Sequence, residues 1–422
     1  METLEKISKL RKVADSLADT YSNHLPEGLS QRAAQAKTAL DHLEFPTTKM
    51  EAWKYTRTGA LANKAWKFAE AKDLPELPIA LDSLKYRMVF LNGHYLSSHS
   101  VLPAYDGLVL DAATGNRAHK DSLFDNGTAH REDAFTALNT AYPQDGFWLH
   151  LEKNAVVESP LYIINVYSGS QVMAQPRNYI HLENGAQMRI TEYHIHLGET
   201  WANVVSEIQV EENAHLGIDS VQIGSEGSYH KQIADTVIAR SANFTHNNFT
   251  LSGKWTRNDT NAKIQGEGIT ANFHGWYMPS GNEHVDNHTI MDHEKAHCDS
   301  NELYRGVLMD QATGVFNGKV FVRQDAQKTN AFQSNGNILV SDAATMNSKP
   351  ELEIYADDVK CSHGSTTGQL DDDAMFYLRT RGLSTESARK MLVTAFAEAV
   401  LEKLVNPDIR ALIESAIEKK LS

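Results

Sequence analysis

The sequence predicts a mainly β protein whose core is a parallel β-helix set between N-terminal and C-terminal α-helical regions. Three observations carry this. Apolar residues recur at helical spacing near both ends of the chain. From about Tyr86 the texture changes to short β-rich runs. Small-residue turns then fall at a fixed period: Gly185-Ala186, Asn213-Ala214 and Ser241-Ala242 lie 28 residues apart, and Ile269-Thr270 lies a further 28 on. A strand–turn repeat of constant length marks a solenoid, in which each rung buries its apolar face only against its neighbours. The regions are drawn at 1–80, 81–370 and 371–422.

Taken in order, Leu4, Ile7, Leu10, Val13 and Leu17 place a first helix near the N-terminus. Pro26-Glu27-Gly28 breaks it. Ser30 is read as the N-cap of a second helix, with Ala33, Ala36, Leu40 and Leu43 on one stripe and Pro46 as its stop. Residues 47 to about 80 are mixed, and Leu74-Pro75-Glu76-Leu77-Pro78 reads as a linker. Met88–Leu91, Leu161–Val166 and Val204–Val210 are typical of the strand runs that follow. Asn and Gly density between 240 and 345 suits rung corners, where left-handed backbone is needed, and side-chain ladders. Ser384 is read as the cap of a C-terminal helix with Glu386 in its first turn and Ala388, Met391, Leu392, Ala395, Phe396 and Ala399 on one stripe. Asn406-Pro407 ends it. A last helix then carries Ile409, Leu412, Ile413, Ala416, Ile417 and Leu421 on one side.

Bulk properties exclude several function classes. A formal charge of −14 argues against a nucleic-acid footprint and against docking on anionic membrane. No run of about eighteen apolar residues occurs, so no transmembrane helix is expected. Two cysteines give no disulfide framework, and the first residues lack the apolar core of a signal peptide, so a cytoplasmic location is expected. No Walker A loop, dinucleotide fingerprint or nucleophile elbow is present. Asp371-Asp372-Asp373 reads as an exposed acidic turn, and Trp53-Lys54-Tyr55 as packing of an N-terminal element.

The candidate chemistry sits in KPELEIYADDVKCSHG, residues 349–364. In extended chain, residues i and i+2 share a face, so Cys361 and His363 would stand side by side. A thiolate and an imidazole suit iron or zinc, yet two ligands do not complete a site. An inert thiol and a hydrogen-bonded histidine at a strand end fit the spacing as well. Lys360 is a candidate for lowering the thiol's pKa. A second cluster, His284, His288, His293, His297 and Cys298, invites a zinc reading, but strand propensity puts the first and second histidine pairs on opposite faces. His194 and His196 form another same-face pair.

The run from Lys349 to Gly364, continued by Ser365-Thr366-Thr367-Gly368 and Phe376-Tyr377-Leu378-Arg379-Thr380-Arg381-Gly382, resembles the SufB/SufD family of iron–sulfur cluster assembly subunits. PTTKMEAWKYT at 46–56 is similar to a second family motif. Asp292-His293 through Cys298-Asp299-Ser300 is similar to a third. Length, two cysteines and the Phe376–Gly382 run resemble the SufD branch. The resemblance implies a right-handed parallel β-helix and a non-enzymatic scaffold. It implies pairing with a SufB-like subunit through the C-terminal end of the β-helix, and binding of a SufC-like ABC ATPase by the C-terminal helical region. Tyr377, Arg379, Arg381, Gly382, Met391 and Phe396 are assigned to partner binding on that basis. A transient iron–sulfur cluster, or iron, is expected at the interface, with His363 as principal ligand and Cys361 as a second. A cysteine desulfurase would supply sulfur indirectly, and the complex could hold a reduced flavin. The alternatives are a SufB-type or homodimeric scaffold, a carbohydrate-active β-helix enzyme and a simple zinc-binding β protein.

Overall fold

The structure is a computed structural model that describes residues 8–22, 25, 27–113 and 133–421. Leu4 and Ile7, assigned to the first helix, lie outside the described residues. That helix runs Lys9–Ala18, with the Ser8 hydroxyl accepting from the Arg11 amide, and buries Leu10, Val13, Ala14 and Leu17. The second runs Glu27–Ala39. Ser30 is therefore not its cap: it lies inside the helix, and its hydroxyl donates to the Leu25 carbonyl at 3.1 Å.

The β-region is a two-sheet parallel solenoid. One sheet stacks Arg87–Leu91, the first half of Leu161–Ala174, the first half of Gln187–Val210, His215–Ile223, Asn243–Ser252, Thr270–Tyr277, Asp299–Leu308, Asn330–Leu339 and Lys360–Gly368. The other stacks Gln144–Leu151, Pro176–Leu182, the second half of Gln187–Val210, Tyr229–Ile238, Trp255–Ile264, His284–His293, Thr313–Val322 and Thr345–Ile354. The chain alternates between the sheets, one strand in each per turn.

The repeat is visible in the backbone. Asn154, Gly185, Asn213, Ser241, Gly268, His297 and Lys328 all have positive φ, between 56° and 74°. Each turns the chain at the same corner. Their amides bond to carbonyls of the next turn, for example Asn213 N to Arg240 O at 3.0 Å and Ser241 N to Glu267 O at 2.8 Å. At six of the seven corners the next residue is buried: Ala186, Ala214, Ala242, Ile269, Cys298 and Thr329. The fourth corner is Gly268, one residue before the position the 28-residue spacing gives. Asn248, Asn258, Asn335 and Asn337 are not corners; they are buried strand residues that ladder inside the lumen.

The interior divides in two. One part is apolar, with Ile190, Ile208, Ile218, Phe244, Phe273 and Val320 among its residues. The other is a hydrogen-bonded polar column in which Gln222 bonds Gln232, Asn258 bonds Asn287 and Tyr277 bonds Asn337. Helices cover the outside. The N-terminal elements and an internal helix, Ala134–Ala141, pack on Trp201, Val205, Tyr229, Ile233 and Trp255 of one sheet. Helices Thr385–Leu401 and Pro407–Lys420 pack on Tyr193, Val221, Phe249, Trp276 and Val307 of the other. Leu74 and Leu77 pack partly into this second layer, so the 74–78 segment is a seated strap.

Ser384 caps its helix, and Asn406 the last one. The buried stripe of Thr385–Leu401 is Ala388, Val393, Ala397, Val400 and Leu401, with Met391 outside it and 49% exposed. Apolar residues surround much of this helix, so the choice of face falls to the sheet beneath it. Asp371 accepts from the Ala374 amide, and Asp372 and Asp373 follow in the first turn of helix Asp372–Thr380. The acidic triplet thus starts a helix and complements its dipole.

Candidate functional site

The two ends of the solenoid differ. At the N-terminal end, His94–Tyr95 pairs antiparallel with Arg87–Leu91, and Leu108–Ala112 pairs antiparallel with Gln144–Leu151. Those pairings cover the first edges. At the C-terminal end, Thr345–Ile354 pairs only with Thr313–Val322, and Lys360–Gly368 only with Asn330–Leu339, among the described residues. Both last strands leave a backbone edge of donors and acceptors without a strand partner.

Cys361 and His363 lie on the final strand, in register with Ala331 and Gln333. Ala331 and Gln333 are buried, whereas Phe332 between them is exposed, so the Cys361 and His363 positions face the lumen. Cys361 is half-buried and packs on the lumen core. His363 is exposed, at the mouth. Ser365 donates to Ser348 across the mouth at 2.6 Å, and Ser348 donates to Asn335 at 2.9 Å. Leu352 of the facing strand packs on the same core.

Lys360 does not activate the thiol. It is the neighbouring residue on an alternating strand, so it takes the opposite face. Burial pushes the Cys361 thiol above its ordinary value, and the Ala331 backbone offsets this only in part. Among the described residues, no three His, Cys, Asp or Glu side chains gather as a metal-binding group. The mouth can present one sulfur and one imidazole to an ion held jointly with another molecule.

The other histidines have separate roles. His284 bonds Thr56, His288 pairs with Asp286, and His293 bonds Ser300. His297 is a corner residue. Cys298 fills an interior rung position, its thiol donating to the Gly266 carbonyl at 3.1 Å and pushed up in pKa by burial. His194 and His196 join His230 and Tyr167 inside the lumen. Burial holds His194 down at about 3. Trp53 is buried, stacks on Phe135 at 5.3 Å and lies 3.7 Å beneath the Arg257 guanidinium. The 46–56 motif is therefore an anchor, and Glu51 bonds Lys349 of the 349–364 motif at 2.7 Å.

The C-terminal residues separate into two groups. Helix Asp372–Thr380 buries none of its side chains. Tyr377 is 56% exposed, its hydroxyl bonded to Arg381, whose guanidinium also covers its ring. Gly382, at φ 93°, ends the helix in left-handed backbone. Arg379 and Gly382 line an open groove with Phe376, Leu383, Ser384 and Thr385. Phe376, absent from the sequence assignment, is 70% exposed; a helix without a buried stripe offers no periodic signal to single it out. Phe396 faces the other way, 6.4 Å from Trp276 and beneath Arg305, within the layer that seats the helices on the sheet.

Comparison with known proteins accords with this geometry. Residues 164–396 match the family described as "SUF system FeS cluster assembly, SufBD core domain", and residues 7–163 match "SufBD protein N-terminal region". The chain is 30% identical to "Iron-sulfur cluster assembly protein SufD" of Escherichia coli, over 93% of this chain and 94% of that protein. It is 32% identical to an iron–sulfur cluster assembly SufBD family protein of Synechocystis, over 87% and 86%. It is 24% identical to "Iron-sulfur cluster assembly protein SufD" of Bacillus subtilis, over 94% of each. No described helix is long and apolar enough to cross a membrane. With a parallel solenoid flanked by helices and the two family regions matched over residues 7–396, the chain belongs to the SufB/SufD family of iron–sulfur cluster assembly proteins and is SufD-like.

Proposed function

We propose that this chain is a non-enzymatic cytoplasmic scaffold that pairs with a SufB-like subunit through the open end of its solenoid, and that iron of a nascent cluster is bound between them. The carrying observation is the conjunction at one place of two strand edges unpaired among the described residues and a lumen-facing Cys361/His363 pair. Edge pairing with a partner strand supplies main-chain hydrogen bonds, and the partner supplies the ligands this chain lacks. His363 is the principal ligand. A neutral imidazole holds iron less tenaciously than a set of thiolates, which suits cargo that must be released. Cys361 is the second candidate, and its raised pKa makes it the weaker ligand at neutral pH. The SufC-like ATPase docks at the exposed surface of Asp372–Thr380, through Tyr377, Arg379, Arg381, Gly382 and neighbouring Phe376, and at Met391, exposed on the following helix. ATP-driven movement of these helices would then act on the interface.

The test is co-expression of the tagged chain with a SufB-like subunit and a SufC-like ATPase, then pull-down and cluster quantification. Wild type should recover both partners. His363→Ala should recover both partners yet lose cluster. Full cluster yield from His363→Ala, or recovery of this chain alone while both partners are soluble, would overturn the reading.

A further inference from the structure

Behind His363 lies a residue that no motif marks. Gln333 is its register neighbour on the adjoining strand, in the same lumen-facing column, about 4.8 Å away along the stack. Gln333 is 3% exposed. Its amide is oriented: Nε2 donates to Glu302 Oε2 at 3.2 Å, and Glu302 is the next residue down that column. Thr289 donates to the same carboxylate oxygen. With its nitrogen committed toward Glu302, Gln333 has Oε1 left over, buried and without a hydrogen-bond partner among the described residues. A buried acceptor left unmade is costly and calls for an occupant. Gly318 of the opposite sheet makes room for this arrangement, since a Cβ there would overlap Gln333 Nε2.

We propose that Gln333 is a positioning residue for His363: in the assembled complex its Oε1 accepts one imidazole N–H, which fixes the tautomer and turns the other ring nitrogen toward the mouth. Metal-binding histidines commonly donate their second ring nitrogen to a carbonyl or carboxylate, and loss of that partner typically lowers metal affinity about 10- to 100-fold. Glu302 is the anchor that orients the amide. The inference rests on the reading of His363 as an iron ligand.

The experiment uses the full chain in complex with its SufB-like and SufC-like partners, with Co2+ as spectroscopic probe. Gln333→Met keeps the length of the side chain and removes the acceptor. It should weaken Co2+ binding at least tenfold and alter the cobalt ligand-field absorption, while partner recovery stays near the parent's. Gln333→Glu keeps an oxygen at the same reach and should restore most of the affinity. His363→Ala is measured in parallel. If His363→Ala binds Co2+ as the parent does, the ligand reading itself fails. If His363→Ala loses binding while Gln333→Met keeps the parent's affinity and spectrum, the positioning role alone is refuted. Should Gln333→Met fail to fold, Gln333→Leu replaces it under the same criteria, and an affinity loss that Gln333→Glu does not restore also counts against the proposal.

Discussion

Relative to the parent, Glu302→Gln should be more stabilising at pH 8 than at pH 5, although it removes a carboxyl from a hydrogen-bonded group. Glu302 is 2% exposed, and burial raises its pKa from an ordinary 4.5 to about 7, with the Thr289 and Gln333 hydrogen bonds opposing the rise. Between those values the folded chain holds a proton that the unfolded chain has released. Stability from this group is therefore full below about pH 4.5 and is lost as pH rises through about 7. At 1.36 kcal/mol per pH unit, the gap amounts to about 3 kcal/mol, of which about 2–3 lies between pH 5 and pH 8. Glutamine keeps a carbonyl oxygen for Thr289 and Gln333 and has no proton to lose. His194, near 3, and His246 and His293, near 4, have the opposite sign, since burial lowers them and their stability contribution grows as pH rises toward 6.5. They are common to both proteins and cancel in the comparison. Urea unfolding followed by tryptophan fluorescence at pH 5, 6, 7 and 8 reads the difference directly. A Glu302→Gln effect of the same size at every pH would refute the reasoning.

Other outcomes follow from single observations. Trp53→Ala should cost about 3–5 kcal/mol in urea unfolding, because the ring is buried against Phe135 and Arg257. Ser241→Gly should raise stability by about 1 kcal/mol and Ser241→Val should lower it, since the corner holds φ at 56° and a β-branched residue resists that conformation. Alkylation of the native chain followed by peptide mass spectrometry should label Cys361 and leave Cys298, which is fully buried, unmodified until denaturant is added.

Much of the architecture was legible because its causes are local. Corners at Gly185, Asn213 and Ser241 use residues small or polar enough to announce a turn. The corners at His297 and Lys328 do not, because neither residue type marks a turn by composition, and their positive φ is set by the stack. Gly268 fell one residue off the period because that rung is one residue shorter. Period-two alternation placed Cys361 and His363 on one face, but which face, and its position at an open mouth, depended on register with Ala331 and Gln333 thirty residues away. Gln333 and Glu302 carry no local pattern at all; only the stacking of turns brings them behind His363. Helical periodicity failed for Met391 because apolar residues on several sides of its helix left the buried face to be chosen by the sheet.

The exposed helix is the next element in the chain after the strand that carries Cys361 and His363. Lys360–Gly368 ends, and only Gln369 and Leu370 separate it from Asp371, the cap of Asp372–Thr380. A three-residue connection spans at most about 10 Å, so the helix stays close to the strand that carries Cys361 and His363. The helix itself buries no side chain, whereas the following one is held to the sheet by Val393, Phe396 and Ala397. Moving the first therefore disrupts little apolar packing, and moving the second would disrupt much of it. The strand at the other side of the mouth, Thr345–Ile354, is tied instead to the N-terminal anchor through Lys349 and Glu51. Cys361 and His363 thus lie on the strand that leads directly into Asp372–Thr380, and Ser365 of that strand is hydrogen-bonded across the mouth to Ser348 of the facing one.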